Sequence, residues 1–131
     1  MVEVAVCFPV FMLVLLGIIE FGRAMSINQL LNSAARIGCR AAVLDGSTNA
    51  SVTDLVKQQV ASTVGIQQTS VTVRITATSS RTGATLSDVS TATTGDMLDV
   101  DVSVPFSAVS WSVKEWLARA NIRGECSMQH E

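Results

Sequence analysis

The sequence predicts an α+β fold: one long N-terminal helix, a second helix and an antiparallel sheet of about three strands. A charge-free apolar run, Val4–Ile19, leads into apolar residues at helical spacing. A shorter helical pattern follows at Val52–Val64, and three later segments alternate strictly between apolar and polar residues, as half-buried strands do. We therefore expect residues 1–45 to form the long helix and residues 46–131 to form a small α+β domain.

The apolar run is the most informative segment. As a helix its roughly sixteen residues would be about 24 Å long. The start is acidic and the run continues into IEFGRAMSINQLL without a cleavage signal, which disfavours a secretory signal peptide. The rest of the chain is too small to surround such a helix as a core element. Two interpretations remain: a plain membrane anchor, or a helix that lies first in a membrane and then among neighbouring helices at the centre of a polymer.

Two carboxylates, Glu3 and Glu20, bracket the run. An acid in the first helical turn is favoured by the helix dipole. In an apolar polymer core, Glu3 would also pair with the α-amino group of a neighbouring subunit, and the cost of an unpaired buried charge would then set the axial register. A simple first-turn charge at a membrane surface explains Glu3 equally well on helix physics alone.

The helix is expected to continue beyond Ile19, because small and apolar residues recur at threes and fours up to Ala42. Glu20 and Arg23 form an i,i+3 pair within it. Pro9 predicts a kink or local melting within the helix, not its end. Gly46 stands where a C-cap is expected.

The second helix is expected to be capped by Ser51 and closed by Gly65. The strands are predicted at residues 70–78, 97–106 and 121–129.

Two stretches lack such a pattern. The Ser/Thr-rich residues 77–96 are interpreted as a long surface loop, solvated and open to O-glycosylation. Residues 113–120, with Trp111 just before them, are interpreted as a short helical or irregular crossing. Its apolar residues would pack on the sheet, which is the preferred interpretation, or on a neighbouring subunit.

Three cysteines are present, of which Cys7 lies in the apolar run and acts there as a small hydrophobe. Cys39 falls on or beside the packed stripe of the long helix, and Cys126 falls on the inward face of the last strand. The two thiols are therefore candidates for a disulfide, although spacing alone leaves open whether they are bridged. A metal site is disfavoured, because there is no CxxC and the single histidine is His130.

The composition disfavours most other functions. With a net charge of −2 and no basic block, the chain has no sign of a nucleic-acid partner. No catalytic constellation and no phosphate-binding loop occur, so we expect neither an enzyme nor a cofactor. Asp99 and Asp101 share one strand face, but without a calcium-loop pattern they are better explained as solvated surface charges. Asn49-Ala50-Ser51 matches the N-glycosylation pattern.

The N-terminal third resembles a known family. The residues that carry the resemblance are Val2-Glu3, Pro9 within the apolar run, LLGIIEFGRA at Leu15–Ala24, Asn32-Ser33-Ala34-Ala35-Arg36 and Arg40-Ala41-Ala42. Together they resemble the N-terminal motif of TadE-like proteins, which are pilin-like proteins of the tight-adherence (Flp-type) branch of type IV pili. The resemblance implies a pilin-like ladle, with the long helix as its handle and the α+β domain as its bowl.

The same resemblance implies where the protein is located, how it is processed and how it is assembled. It would be an inner-membrane precursor, cut by a prepilin peptidase and assembled with identical subunits into an extracellular pilus by an ATPase-driven machine. Glu3 matches the carboxylate that the family pattern places fifth in the mature protein. Here it is third, which leaves the mature N-terminus open.

Three functions are therefore weighed. The leading hypothesis is a structural subunit of a Tad pilus, used for surface adhesion. The alternatives are a minor pilin that initiates or caps assembly and a membrane-tethered binding domain that never polymerises.

Overall fold

A helix of 41 residues, α1 (Val2–Ala42), precedes a second helix, α2 (Asn49–Val64). The computed structural model describes residues 2–44, 46–110 and 120–130. Within these ranges four strands occur: β1 (Thr72–Thr78), β2 (Thr85–Leu86), β3 (Met97–Pro105) and β4 (Asn121–Gln129). They form one antiparallel sheet in the order β2-β1-β3-β4. The predicted α+β class is confirmed, with one short strand more than expected.

Helix α1 is continuous through Pro9, so the local melting expected there is not observed. A proline removes one N–H from the helical ladder. The remaining bonds on both sides of Pro9 keep the backbone helical. Helix α1 ends at Ala42, and the chain then turns through Gly46, whose φ of 85° is one that glycine adopts without strain.

The core lies between one face of the sheet and the second half of α1. The inward side chains of β3 are fully buried, and they alternate with outward polar residues as the sequence pattern predicts. Helix α2 adds a row of valines at helical spacing. Among the described residues, the largest fully buried side chains are Leu31, Cys39, Val52, Val56, Val60, Leu98, Val100, Val102 and Val104.

Helix α2 begins at Asn49, three residues earlier than predicted, because its cap is Thr48 and not Ser51. The Thr48 hydroxyl accepts a hydrogen bond from the Ser51 N–H at 3.3 Å, and the Ser51 hydroxyl accepts one from the Thr48 N–H at 3.1 Å. Ser51 is thus the second member of a capping box. At the other end Gly65 adopts the left-handed conformation, as predicted for a C-cap.

The segment between β1 and β3 is more ordered than the expected solvated loop. Its end is held by the buried Asp96 carboxylate, which accepts hydrogen bonds from the backbone N–H and the hydroxyl of both Ser80 and Thr93. Its middle is held at the start of α2, where the Asn49 amide donates to the Ser87 carbonyl at 3.1 Å. These polar contacts and the buried Val89 order this segment. They form no periodic apolar pattern, so hydrophobic periodicity did not predict β2.

The bounds of the other strands differ little from the prediction. Strand β4 is confirmed at residues 121–129, whereas β1 begins two residues late because Ser70 belongs to a 3-10 turn. Strand β3 ends at Pro105, which has no N–H to donate to a ladder. The crossing predicted at residues 113–120 lies almost entirely outside the described residues, as does Trp111.

Candidate functional site: the exposed half of the long helix

The first half of α1 is exposed on every side. Each residue from Glu3 to Ile19 is exposed, and Val4 and Leu13 each keep 70 % of their surface open. We call Val4–Phe21 the apolar segment; it presents thirteen large exposed apolar side chains. In the described part of the chain, α1 is the one helix that is long and apolar enough to cross a membrane, and none of its most apolar stretch is buried. The apolar segment therefore lacks the partner that its composition requires.

Glu3 and Glu20 stand at the two ends of the apolar segment. Glu3 lies in the first turn of α1 and is exposed, as is Pro9. The 17-residue separation of the two carboxylates corresponds to about 26 Å along a helix, close to the thickness of a bilayer's hydrocarbon core. The apolar segment thus has acidic boundaries at roughly membrane spacing.

Glu20 marks the point where α1 meets the rest of the protein. Its carboxylate accepts a hydrogen bond from the Ser110 hydroxyl at 3.4 Å, which joins α1 to the segment that follows β3. Glu20 is half-buried and Ser110 is buried, whereas Arg23, one turn further along, is exposed. The ion pair of Glu20 with Arg23 stays a prediction.

Beyond this point α1 approaches β4 very closely, and Gly124 permits the approach. A Cβ atom at Gly124 would lie 2.3 Å from the Leu31 carbonyl carbon and 2.4 Å from the Asn32 backbone nitrogen. Real Cβ atoms do not come so near to backbone atoms, and backbone cannot move aside as a side chain can. Glycine is therefore required here for strand and helix to touch.

Two asparagines of α1 use this closeness to bind the outer edge of β4. The Asn28 amide donates to the Arg123 carbonyl at 2.9 Å, and the Asn32 side-chain oxygen accepts from the Glu125 N–H at 3.2 Å. The Asn32 amide also donates to the Asn28 side-chain oxygen at 3.1 Å. The pair therefore satisfies backbone groups that an edge strand otherwise leaves open, and it fixes how α1 lies along the sheet.

About two turns beyond Asn32, the predicted cysteine pair comes together. The Cys39 thiol is fully buried and donates to the Cys126 carbonyl at 3.0 Å. Burial, and then the adjacent Cys126 thiol, raise the pKa of Cys39 to about 12. Cys126 is half-buried, and both residues are free thiols in this structure. Their proximity is established, whereas the bridge stays a prediction.

The outer face of the sheet carries the remaining charges. Asp101 forms an ion pair with Arg123 on the neighbouring strand, and this carboxylate raises the pKa of Arg123. Arg74 lies directly opposite Asp101 on the other side. Asp101 is thus flanked by an arginine on each neighbouring strand, while Asp99 lies two residues away on the same face of β3. The described residues contain no group of three or more His, Cys, Asp or Glu side chains that could hold a metal ion.

The architecture is pilin-like: a long N-terminal helix whose second half is covered by a small antiparallel sheet and whose first half is bare. A family model described as TadE-like protein matches residues 1–40. The N-terminal helix therefore matches the TadE-like family, as the resemblance drawn from the motif predicted. No curated protein and no solved structure shows a significant match to the chain.

Sequence reasoning missed the contacts that hold α1 to β4. Asn28 and Asn32 are one helical turn apart, and Gly124 interrupts the inward face of a predicted strand. A glycine inside a strand often marks the close approach of another backbone, so this signal was present. The sequence alone did not identify α1 as the backbone that approaches Gly124.

Proposed function

We propose that this protein is a structural subunit of an extracellular, type IV-like Tad pilus and polymerises through the apolar segment. One observation carries the proposal: every large apolar side chain of the apolar segment is exposed, while the second half of the same helix is packed against the sheet. The second half of α1 and the sheet bury each other's apolar residues, whereas the described structure provides no apolar environment for the apolar segment. Lipid supplies that environment before assembly, and identical helices supply it afterwards.

The free energy of burying the exposed side chains supports the proposal that the apolar segment associates with lipid or with other helices. Burying one large apolar side chain is worth about 1.5–3 kcal/mol. Thirteen such side chains, even at half that value, match the whole stability of a typical domain, about 5–15 kcal/mol. Leaving them in water would therefore drive association as strongly as folding itself.

In the proposed filament, Glu3 sets the position of each subunit along the axis. Surrounded by neighbouring apolar segments, its carboxylate would need an opposite charge, and the α-amino group of an adjacent subunit supplies one. A wrong axial register would leave both charges buried and unpaired, which costs several kcal/mol. An anchor that stays in lipid has no such requirement.

The proposal includes a pathway and a location. The precursor lies in the bacterial inner membrane, a prepilin peptidase releases it, and the Tad assembly machinery adds it to the filament. The finished pilus acts outside the cell in surface adhesion. The match to TadE-like proteins supports this context, and it also favours a second candidate, because TadE-like proteins are usually regarded as minor pilins that initiate or cap assembly.

The test is to compare Glu3→Ala with wild type in cells that produce the protein, by quantifying the polypeptide in sheared surface filaments and in the inner membrane. We expect the variant to insert normally, while its amount in filaments falls more than about tenfold, because a buried ion pair is lost. Asp54→Ala is the matched control, since Asp54 is an exposed carboxylate on α2, and it should assemble like wild type.

The same measurement separates the candidates. A polypeptide that is the main component of the filaments supports the structural subunit. Small, sub-stoichiometric amounts, combined with loss of another abundant pilin on deletion, support the minor pilin instead. If the polypeptide never leaves the inner membrane and Glu3→Ala changes nothing, the protein is a tethered domain and the proposal is wrong.

A further inference from the structure

The contact between Cys39 and Cys126 joins two distant parts of the chain. Cys39 lies in the last turns of α1, and Cys126 lies 87 positions later, in the middle of β4. The Cys39 sulfur is 3.0 Å from the Cys126 carbonyl oxygen, so the sulfur lies against the backbone of the residue that carries the other thiol. The two side chains are also close enough for the Cys126 thiol to affect the ionisation of Cys39.

We propose that Cys39 and Cys126 are oxidised to a disulfide that cross-links the packed end of α1 to the last strand. The cross-link would close a long loop and thereby restrict the unfolded chain far more than a bond between near neighbours. It would lie in the same helix–strand contact as Gly124 and the two asparagines. The element that leads into the apolar segment would then be joined covalently to the sheet.

The exposure of the two thiols predicts the order of the reaction. Cys126 is half-buried and Cys39 is fully buried. A disulfide-bearing oxidant is therefore attacked first by the Cys126 thiolate, whose proton goes to solvent. One sulfur of the oxidant leaves as a thiolate, and the other remains bonded to Cys126 as a mixed disulfide.

The second step closes the bridge. The Cys39 thiol loses its proton, its sulfur attacks the Cys126 sulfur, and the second sulfur of the oxidant leaves. Two cysteine thiols have then lost two protons and two electrons, and the oxidant's disulfide has become two thiols. Because burial keeps Cys39 protonated, this step is the slow one in the folded protein.

The competing explanation is that both thiols are simply small apolar groups that fill the contact. It predicts the same packing and no chemistry. The two explanations differ in the mass of the protein, in the reactivity of each thiol and in the effect of oxidation on stability.

The experiment uses the full chain in detergent with Cys7→Ala, which removes the third thiol. The folded, reduced protein is treated with glutathione disulfide, quenched with acid and examined by intact mass and peptide mapping. We expect an early Cys126–glutathione adduct, which then converts to a species lighter than the reduced protein by two hydrogen atoms. In Cys39→Ala the adduct should persist, and in Cys126→Ala no adduct should form on Cys39.

A second measurement addresses stability. Oxidation should raise the thermal midpoint of the Cys7→Ala protein by roughly 10 °C, and it should leave the midpoints of both single-cysteine variants unchanged. The proposal is overturned if the oxidised protein keeps two free thiols after denaturation, or if oxidation gives only glutathione adducts or cross-linked dimers. It is also overturned if Cys39 in Cys126→Ala reacts as fast as Cys126 in Cys39→Ala.

Discussion

The two halves of α1 belong to one continuous helix, yet they are built for different surroundings. The apolar segment carries large side chains on all sides, and all of them are exposed. The second half carries a stripe of alanines with Gly38 and Cys39, and this stripe is buried under the sheet and α2. Small residues allow close contact with a strand, whereas large ones suit lipid or other helices. The comparison shows that the packed half combines small residues with a few buried large ones such as Leu31, whereas the apolar segment carries large residues on every side.

The largest expected effect is at Gly124, where the packed half of α1 touches β4. In Gly124→Val the new side chain would overlap the backbone of Leu31 and Asn32. We expect a loss of about 4 kcal/mol or more in the free energy of unfolding, enough to prevent stable docking of the helix. The measurement is denaturant unfolding of the full chain in detergent, followed by circular dichroism.

Gly22→Val is the matched control, because a Cβ at Gly22 meets no atom within 4 Å in the described part of the chain. It should leave the unfolding midpoint of the domain unchanged. Equal losses of unfolding free energy in the two glycine variants would refute the conclusion that only the second half of α1 packs closely on the sheet.

A smaller effect is expected from shortening a leucine in each half. Leu31 is fully buried, so Leu31→Ala should lower the free energy of unfolding by about 3 kcal/mol. Leu13 is 70 % exposed, so Leu13→Ala should leave unfolding unchanged and instead weaken partitioning into lipid vesicles, by about 2 kcal/mol. Denaturant unfolding and vesicle flotation, measured on both variants, test whether each leucine affects one property and not the other. A fall in domain stability in Leu13→Ala would contradict it.

The smallest expected effect is the loss of stability in acid, and it should concern the α+β domain and not the apolar segment. Four hydrogen bonds, led by the Thr93 backbone N–H, lower the pKa of Asp96 from 3.8 to about 2. A lowered pKa means that ionised Asp96 adds stability above pH 3.8, and that this contribution is lost as the pH falls towards 2. Unfolding measured from pH 7 to pH 2 should therefore be unaffected by this group until about pH 4 and then weaken.

Asp96→Asn should lack this contribution to the acid dependence, whereas Asp54→Asn should retain it. The helical signal of the apolar segment in detergent should persist throughout, because none of these groups contacts it. An identical acid profile in Asp96→Asn and wild type would assign the effect to other carboxylates.

Much of the fold was predictable because its signals are local. The apolar segment, the valine row of α2 and the alternation in β3 and β4 each lie within one stretch of chain. Two predictions were wrong for identifiable reasons. The cap of α2 is Thr48 because Thr48 and Ser51 are both suitable capping residues, and the segment around Asp96 is ordered by polar contacts that leave no periodic pattern. The assembly roles of Glu3, Pro9, Glu20 and Arg23, which were inferred from the apolar run and its motif, stay predictions.

The sequence by itself determined that an apolar helix precedes a small α+β domain and that the first third of the chain resembles TadE-like proteins. Helical and strand periodicity are short-range properties, so a single chain contains them in full. Only the tertiary structure decided that Asn28 and Asn32 bind the edge of β4, and that the Cys39 sulfur contacts the backbone carbonyl of Cys126. These contacts join residues about ninety positions apart. Which distant segments meet depends on how the helix and the sheet dock, and that is decided by packing at Gly124 and not by any pattern within one segment.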